Sequence, residues 1–205
     1  MKAHIESLLT GERAWVSIDP QGRIGSGEEL RGVALLSGSF NPLHSGHRGM
    51  HATAAQLLGR EVLYELPLVN ADKAPIDSHE TLRRIEQFRG LATVLLTTAP
   101  LFNHKAELFP DAIFVLGVDT VTRLLSPRFY GDDREAMLSS LADLDERGCR
   151  FLVAGRTADE QGRFLHLHDI EIPPAFRHLF EPIPEQHFRK DISSTEIRLG
   201  LRDDD

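Results

Sequence analysis

Two histidines three residues apart, His44 and His47, close the stretch Leu36–His47, which reads LSGSFNPLHSGH. An apolar run, Val33–Leu36, precedes it. A helical pattern follows, with Met50, Ala54, Leu57 and Leu58 on one face and Gly59 where a helix C-cap glycine belongs. A buried strand that runs through a glycine-bearing turn into a helix start sets backbone N–H groups and the positive helix end beside the sheet's carboxyl edge. That is a natural anion site. Gly38 and Gly46 let a phosphate approach the backbone closely. The two imidazoles straddle the helix start and can face one phosphate, donating hydrogen bonds when neutral and adding charge when protonated. Read alone, HxxH also describes a surface pair, or one histidine capping the other's helix. A zinc site extended to His51 has less behind it, because no glutamate base follows as in HExxH and no thiolate lies nearby.

Near the other end, DISSTEIRLGL offers a second anion element. Ser193, Ser194 and Thr195 bring hydroxyls and backbone N–H groups to an expected helix start over Ser194–Leu201, and Arg198 adds a guanidinium fork. SSTE on its own is an N-cap with a capping-box glutamate. Two such elements at opposite ends of one chain are harder to explain as caps alone.

The elements that must position these groups alternate between apolar runs and amphipathic stretches, the pattern of strand–helix–strand units around a parallel sheet. Strands are expected at Val33–Leu36, Glu61–Val69, Thr93–Thr97, Ala112–Val118 and Phe151–Ala154. Asp77 with Glu80 three residues on makes a capping pair for a helix carrying Leu82, Ile85 and Phe88. Glu135–Glu146 is a further helix. The expected class is α/β, a parallel sheet with helices on both faces. Residues 1–31 read differently: Trp15–Ile18, a DPQGR turn and Ile24 form a small hairpin. We therefore divide the chain into an N-terminal appendage, residues 1–31, and a main domain, residues 32–205. His166 and His168 in FLHLHD are expected to face one side of an extended segment.

The 205 residues suffice for one full-sized core, burying roughly 70% of the extended chain's surface. A net charge of −8 leaves no phosphate-neutralising face for duplex nucleic acid, so nucleic acid is not an expected partner. An anionic substrate must instead be caught by a local pocket, together with a divalent cation. The single cysteine, Cys149, excludes an internal disulfide and suits a reducing compartment. No apolar stretch approaches 18 residues, and MKAHIESLLTGERAW lacks a basic-then-apolar export signal. A cytoplasmic protein without a membrane partner is expected.

The string SGSFNPLHSGH resembles the signature G-x-F-x-P-x-H-x-G-H of the HxGH nucleotidyltransferase superfamily, the cytidylyltransferase-like group of adenylyl- and cytidylyltransferases, and DISSTEIRLGL resembles its closing I-S-S-T-x-I-R. The resemblance spans residues 33–201 and implies the family's Rossmann-like nucleotidyltransferase fold. It makes His44 and His47 the catalytic pair. Gly38, Ser39, Phe40 and Gly46 in the turn, and Ser193, Ser194, Thr195 and Arg198 at the closing helix, become nucleotide-binding positions. FVLGVDTVTRL resembles the LGxDxxxxL segment, which puts Gly117 and Asp119 beside the nucleotide; an Asp just past a strand is also a common N-cap. VNADKAP resembles the loop that meets the acceptor, with Lys73 as its phosphate-seeking residue and Arg83 or Arg84 on the next helix serving the same phosphate. The plain reading of each is a solvated charge.

Within the superfamily the chain is most similar to nicotinate or nicotinamide mononucleotide adenylyltransferases. The segments NADKAP, KAELFP, GCRFLVAGR and FRKDISSTEIR further resemble a branch whose plant members carry this module after a CinA-like domain. The reaction implied passes an adenylyl group from ATP, with Mg²⁺, to the phosphate of a small mononucleotide and releases pyrophosphate. A homo-oligomer is compatible with it. Two departures leave the acceptor open. The tryptophan that often follows LGxDxxxxL is replaced by LLSPRFYGDD, and NADKAPIDSH lacks the usual P-x-H-K order. A non-catalytic nucleotide-binding or regulatory relative, and a cytidylyltransferase with another acceptor, stand as the alternatives. Class I aminoacyl-tRNA synthetases share a similar HIGH string, but this chain is short for one and has no KMSKS-like loop. No P-loop GxxxxGK[ST] occurs, and GSGEEL lacks the third glycine of a dinucleotide fingerprint.

Overall fold

The computed structural model describes residues 1–27, 29–69, 76–157 and 164–189, together with Ile197 and Gly200. In chain order the elements are helix α1 (Lys2–Leu9), strands β1 (Trp15–Ile18), β2 (Ile24–Gly25) and β3 (Ala34–Ser37), helix α2 (Ser45–Leu58), strand β4 (Val62–Pro67), helix α3 (Ser78–Glu86) and strand β5 (Val94–Thr97). Helix α4 (Phe102–Leu108), strand β6 (Ile113–Gly117), helices α5 (Val118–Leu124) and α6 (Arg134–Glu146), and strands β7 (Arg150–Ala154), β8 (Arg156–Thr157), β9 (Phe164–Leu165) and β10 (Phe180–Ile183) complete them. The closing helix expected over Ser194–Leu201 lies outside the described residues, apart from Ile197 and Gly200.

Eight strands form one sheet in the order β10-β7-β6-β3-β4-β5-β1-β2. The six from β10 to β5 run parallel, and the hairpin β1–β2 extends them antiparallel, with Trp15 opposite Thr97 and Ile18 opposite Val94. The segment read as an appendage thus continues the main sheet, and Ile5 and Leu8 of α1 share its core. The sheet is the expected α/β arrangement. Both faces are covered, and the strand sequences show it: in β3, Ala34 and Leu36 enter one core while Leu35 enters the other. Leu152 and Ala154 alternate in the same way with Phe151 and Val153 in β7. Period-two burial on both sides explains why these strands read as continuous apolar runs.

Helices α2 and α3 cover the first face through Ala54 and Ile85, and α4, α5 and α6 cover the second through Ala106, Val121 and Leu144. Gly59 ends α2 in the left-handed conformation, φ 61°, as its position predicts. The apolar face of α2 differs from expectation at one residue: Met50, Ala54 and Leu58 pack inward at four-residue intervals, whereas Leu57 swings out to 41% exposure. Asp77 caps α3 by accepting from Glu80 N at 2.8 Å, as the sequence predicts.

The chain leaves β3 toward β4 and β5 on one side, then returns to β6 and β7 on the other. β3 and β6 are neighbours, yet α2 and α5 depart from them to opposite faces, opening a crevice at their carboxyl ends where ligands of such sheets bind. Among the described residues no helix is long and apolar enough to cross a membrane.

Candidate active site

A cleft of about 380 Å³ occupies this crevice. Gly38, Ser39, His44, Gly46 and His47 form one part of its wall, and Gly117 and Asp119 another. Seven of the positions named from the sequence therefore share one cavity. Lys73, Ser193, Ser194, Thr195 and Arg198 lie outside the described residues. Phe40 and Arg83 are described but do not line the cleft.

The local chemistry of the turn explains how the histidines are held. His44 is the N-cap of α2, in extended conformation, and His47 is its third helical residue. The two occupy the N-cap and N3 positions of a capping box, with imidazoles in place of the usual hydroxyl and carboxylate. His44 N–H donates to His47 Nδ1 at 3.4 Å, which makes Nδ1 an acceptor and assigns the proton of the neutral ring to Nε2. The rings stack at 3.7 Å between centroids. The bland reading of the pair as helix caps is correct as far as it goes. It is also compatible with chemistry, since capping through His47 Nδ1 fixes the tautomer in which that ring presents an Nε2–H donor.

Phe40, named from the motif as a nucleotide-binding position, lies beneath the turn and does not line the cleft. Its backbone takes φ 44°, an outlier for a bulky residue, and its ring is 1% exposed beneath the turn. There it meets His47, Tyr64 and Phe88 edge-to-face at 5.0, 5.3 and 5.3 Å. It orients a histidine and leaves the cleft surface to others. Gly38 passes directly over this ring: a Cβ there would stand 2.8 Å from Phe40 Cε1. With Phe40 boxed in on three sides, Gly38→Ala is expected to cost about 1–3 kcal/mol of stability by overpacking. It should also displace His47 and lower turnover, which thermal melts and initial rates would record together.

Helix α3 clamps the turn from below. Gln87 Nε2 donates to Phe40 O at 2.9 Å while its Oε1 accepts from Leu43 N at 2.7 Å. Arg84 Nη1 donates to Ser39 O at 3.0 Å, and Arg83 Nη2 to Asn41 Oδ1 at 2.5 Å. Glu80 receives Arg83 Nε and Arg84 Nε, each at 2.7 Å. Arg83 and Arg84 are thus committed to the turn and to Glu80. Hydrogen bonds from Arg83 above all, then Arg84, hold the Glu80 carboxyl from its ordinary 4.5 down to about 2. The sign follows from a lowered folded-state value: the stabilisation is present above about pH 4.5 and is lost as pH falls toward 2. Urea midpoints should therefore decline across that window, and Glu80→Gln should flatten the decline.

Gly117, and not Asp119, holds the N-cap position of α5. Asp119 faces the cleft and pairs with Arg156, which stands just beyond β7 and also lines the wall. Arg123 is a further cation there. Among the described lining residues three carry positive charge and one negative, a local reversal in a chain of net charge −8. Sequence reasoning missed one buried ion pair at this wall. Glu65 Oε2 accepts from Lys105 Nζ at 2.6 Å and Glu65 Oε1 from Thr97 Oγ1 at 2.6 Å, with both charged side chains at most 3% exposed. The signal was a glutamate at an inward position of the apolar run EVLYELPLV.

No curated protein matches the sequence. A solved structure of Plasmodium falciparum nicotinic acid mononucleotide adenylyltransferase complexed with NaAD is similar to the chain, with a TM-score of 0.49 and 16% identity over 84% of each. The family model described as cytidylyltransferase-like matches residues 35–200. That stretch holds the histidine turn, the clamp beneath it and the cleft, and the chain belongs to the cytidylyltransferase-like family of the HxGH nucleotidyltransferases.

Proposed function

We propose that the protein is an adenylyltransferase that moves an adenylyl group from ATP to the phosphate of a small mononucleotide, of the nicotinate or nicotinamide type. The observation that supports this most is the convergence of the capped histidine pair, Gly38, Gly46, Gly117 and Asp119 on one basic cleft at the sheet's carboxyl edge. An acceptor phosphate oxygen attacks the α-phosphorus in line; the new P–O bond forms as the bond to the β-phosphate oxygen breaks, and pyrophosphate leaves. The attacker is already anionic near neutral pH, so no general base is needed. Catalysis is then positioning plus stabilisation of charge on the α-phosphate and leaving group.

His44 and His47 supply that stabilisation. Backbone N–H groups of the turn and the start of α2 hold phosphate oxygens, and Asp119 meets the nucleotide sugar. Ser193, Ser194, Thr195 and Arg198 take the β- and γ-phosphates, and Lys73 the acceptor. Arg83 and Phe40 act through the turn they brace. Among the described residues no three His, Cys, Asp or Glu side chains cluster to hold an ion. The Mg²⁺ we assign is the counterion carried on the triphosphate.

Pyrophosphate release with a panel of triphosphates and mononucleotides, products read by mass, tests the reading. The expected result is a dinucleotide from ATP and a pyridine mononucleotide. ATP-dependent thermal stabilisation with no release from any pair would replace the enzyme by a nucleotide sensor. Release with CTP alone would make it a cytidylyltransferase.

A further inference from the structure

The two sides of the cleft differ in chemistry. On the side of β6 and β7 stand Asp119, Arg123 and Arg156, the charged groups suited to sugar and polyphosphate. On the side of β4 and β5 the wall is Pro67, Pro100, Leu101 and Phe102, with Lys105 as the one charged residue among them. An apolar wall with a single fixed hydrogen-bonding group is what a flat aromatic base with one polar substituent requires. β4 and β5 lie one and two strand spacings from β3, so this wall begins roughly 5–10 Å to the side of the histidine turn. A ribose spans that order of distance between a mononucleotide's phosphate and its base.

Lys105 is 3% exposed, and among the described residues its ammonium makes one hydrogen bond, to Glu65 Oε2 at 2.6 Å. An ammonium carries three donors, and buried donors are rarely left without acceptors. The Phe102 ring, 5.7 Å from Nζ, adds a cation–π contact but accepts no conventional hydrogen bond. Glu65, 0% exposed and itself held by Thr97, already neutralises the charge. A carboxylate arriving beside this pair would leave one net negative charge buried, whereas a neutral carbonyl oxygen takes the spare N–H with no charge imbalance.

We infer that Lys105, pinned by Glu65, reads a neutral carbonyl substituent on the acceptor's base, so the enzyme selects a carboxamide-bearing mononucleotide over its carboxylate analogue. The inference rests on the transferase reading above and names its acceptor class. Its test uses the full chain with MgATP and two probes, nicotinamide mononucleotide and nicotinate mononucleotide. Wild-type kcat/KM should favour the amide by about 10- to 100-fold, the range of one hydrogen bond to a charged group. The preference should reside in acceptor KM. Glu65→Gln leaves the ammonium without its counter-charge and should move the ratio toward the carboxylate by about 10-fold or more. The double variant Glu65→Gln/Lys105→Met removes both charges and should bring the ratio near unity; it decides the matter if Glu65→Gln does not fold. A wild-type preference for the carboxylate, or a ratio unchanged in the double variant, overturns the inference. Transfer to a non-pyridine phosphate alone would overturn it and leave the transferase standing. Transfer to no acceptor would remove both.

Discussion

His47→Ala is expected to lose about 100-fold or more in turnover, the cost of deleting one donor to charge that develops in a transition state. The loss has two separable parts. His47 Nδ1 accepts the N-cap N–H of α2, so alanine also removes a cap, worth about 0.5–2 kcal/mol of stability. Asparagine restores an acceptor near the Nδ1 position but has nothing at Nε2. His47→Asn should therefore melt close to wild type while remaining as slow as alanine. Paired melts and pyrophosphate-release rates make the comparison. Near-normal turnover of His47→Ala would remove the histidine from the chemistry and leave it a cap.

Lys105→Ala is expected to lower stability by about 3–5 kcal/mol, because it strands the buried Glu65 carboxylate without its counter-charge. That is a large share of the roughly 5–15 kcal/mol that holds a domain folded. Replacing both partners, as Glu65→Gln/Lys105→Met, leaves no buried charge and keeps an acceptor for Thr97 Oγ1, so its urea midpoint should return close to wild type. Equal destabilisation of the single and double variants would mean that shape, and not the stranded charge, sets the cost.

How far the sequence could be read depended on how local each arrangement is. The strand, turn and helix start around His44 and His47 occupy consecutive residues, and motif and periodicity locate them together. The capping of α3 by Asp77 and the stop at Gly59 are equally local. The groups that hold the turn are not: Gln87 reaches back 44 and 47 residues to Leu43 and Phe40, and Lys105 meets Glu65 across 40. Such contacts depend on the order in which strands pair. For the same reason Trp15–Ile18 was legible as half of a hairpin but not as the neighbour of β5. Phe40 and Arg83 show a further difficulty. A motif marks residues a site needs without saying whether they touch ligand or support those that do. An Asp two residues past a strand suits cap and cleft alike, so the sequence does not place Asp119; the position of Gly117 at the cap does.

Nucleotidyl transfer requires that the α-phosphorus of ATP become covalently joined to the acceptor. ATP labelled at the α-phosphorus, incubated with wild-type protein, Mg²⁺ and nicotinamide mononucleotide, should pass its label into a dinucleotide, and label placed at the γ-position should appear only in pyrophosphate. Label from the γ-position released as orthophosphate, with the α-label retained in ADP, would contradict it.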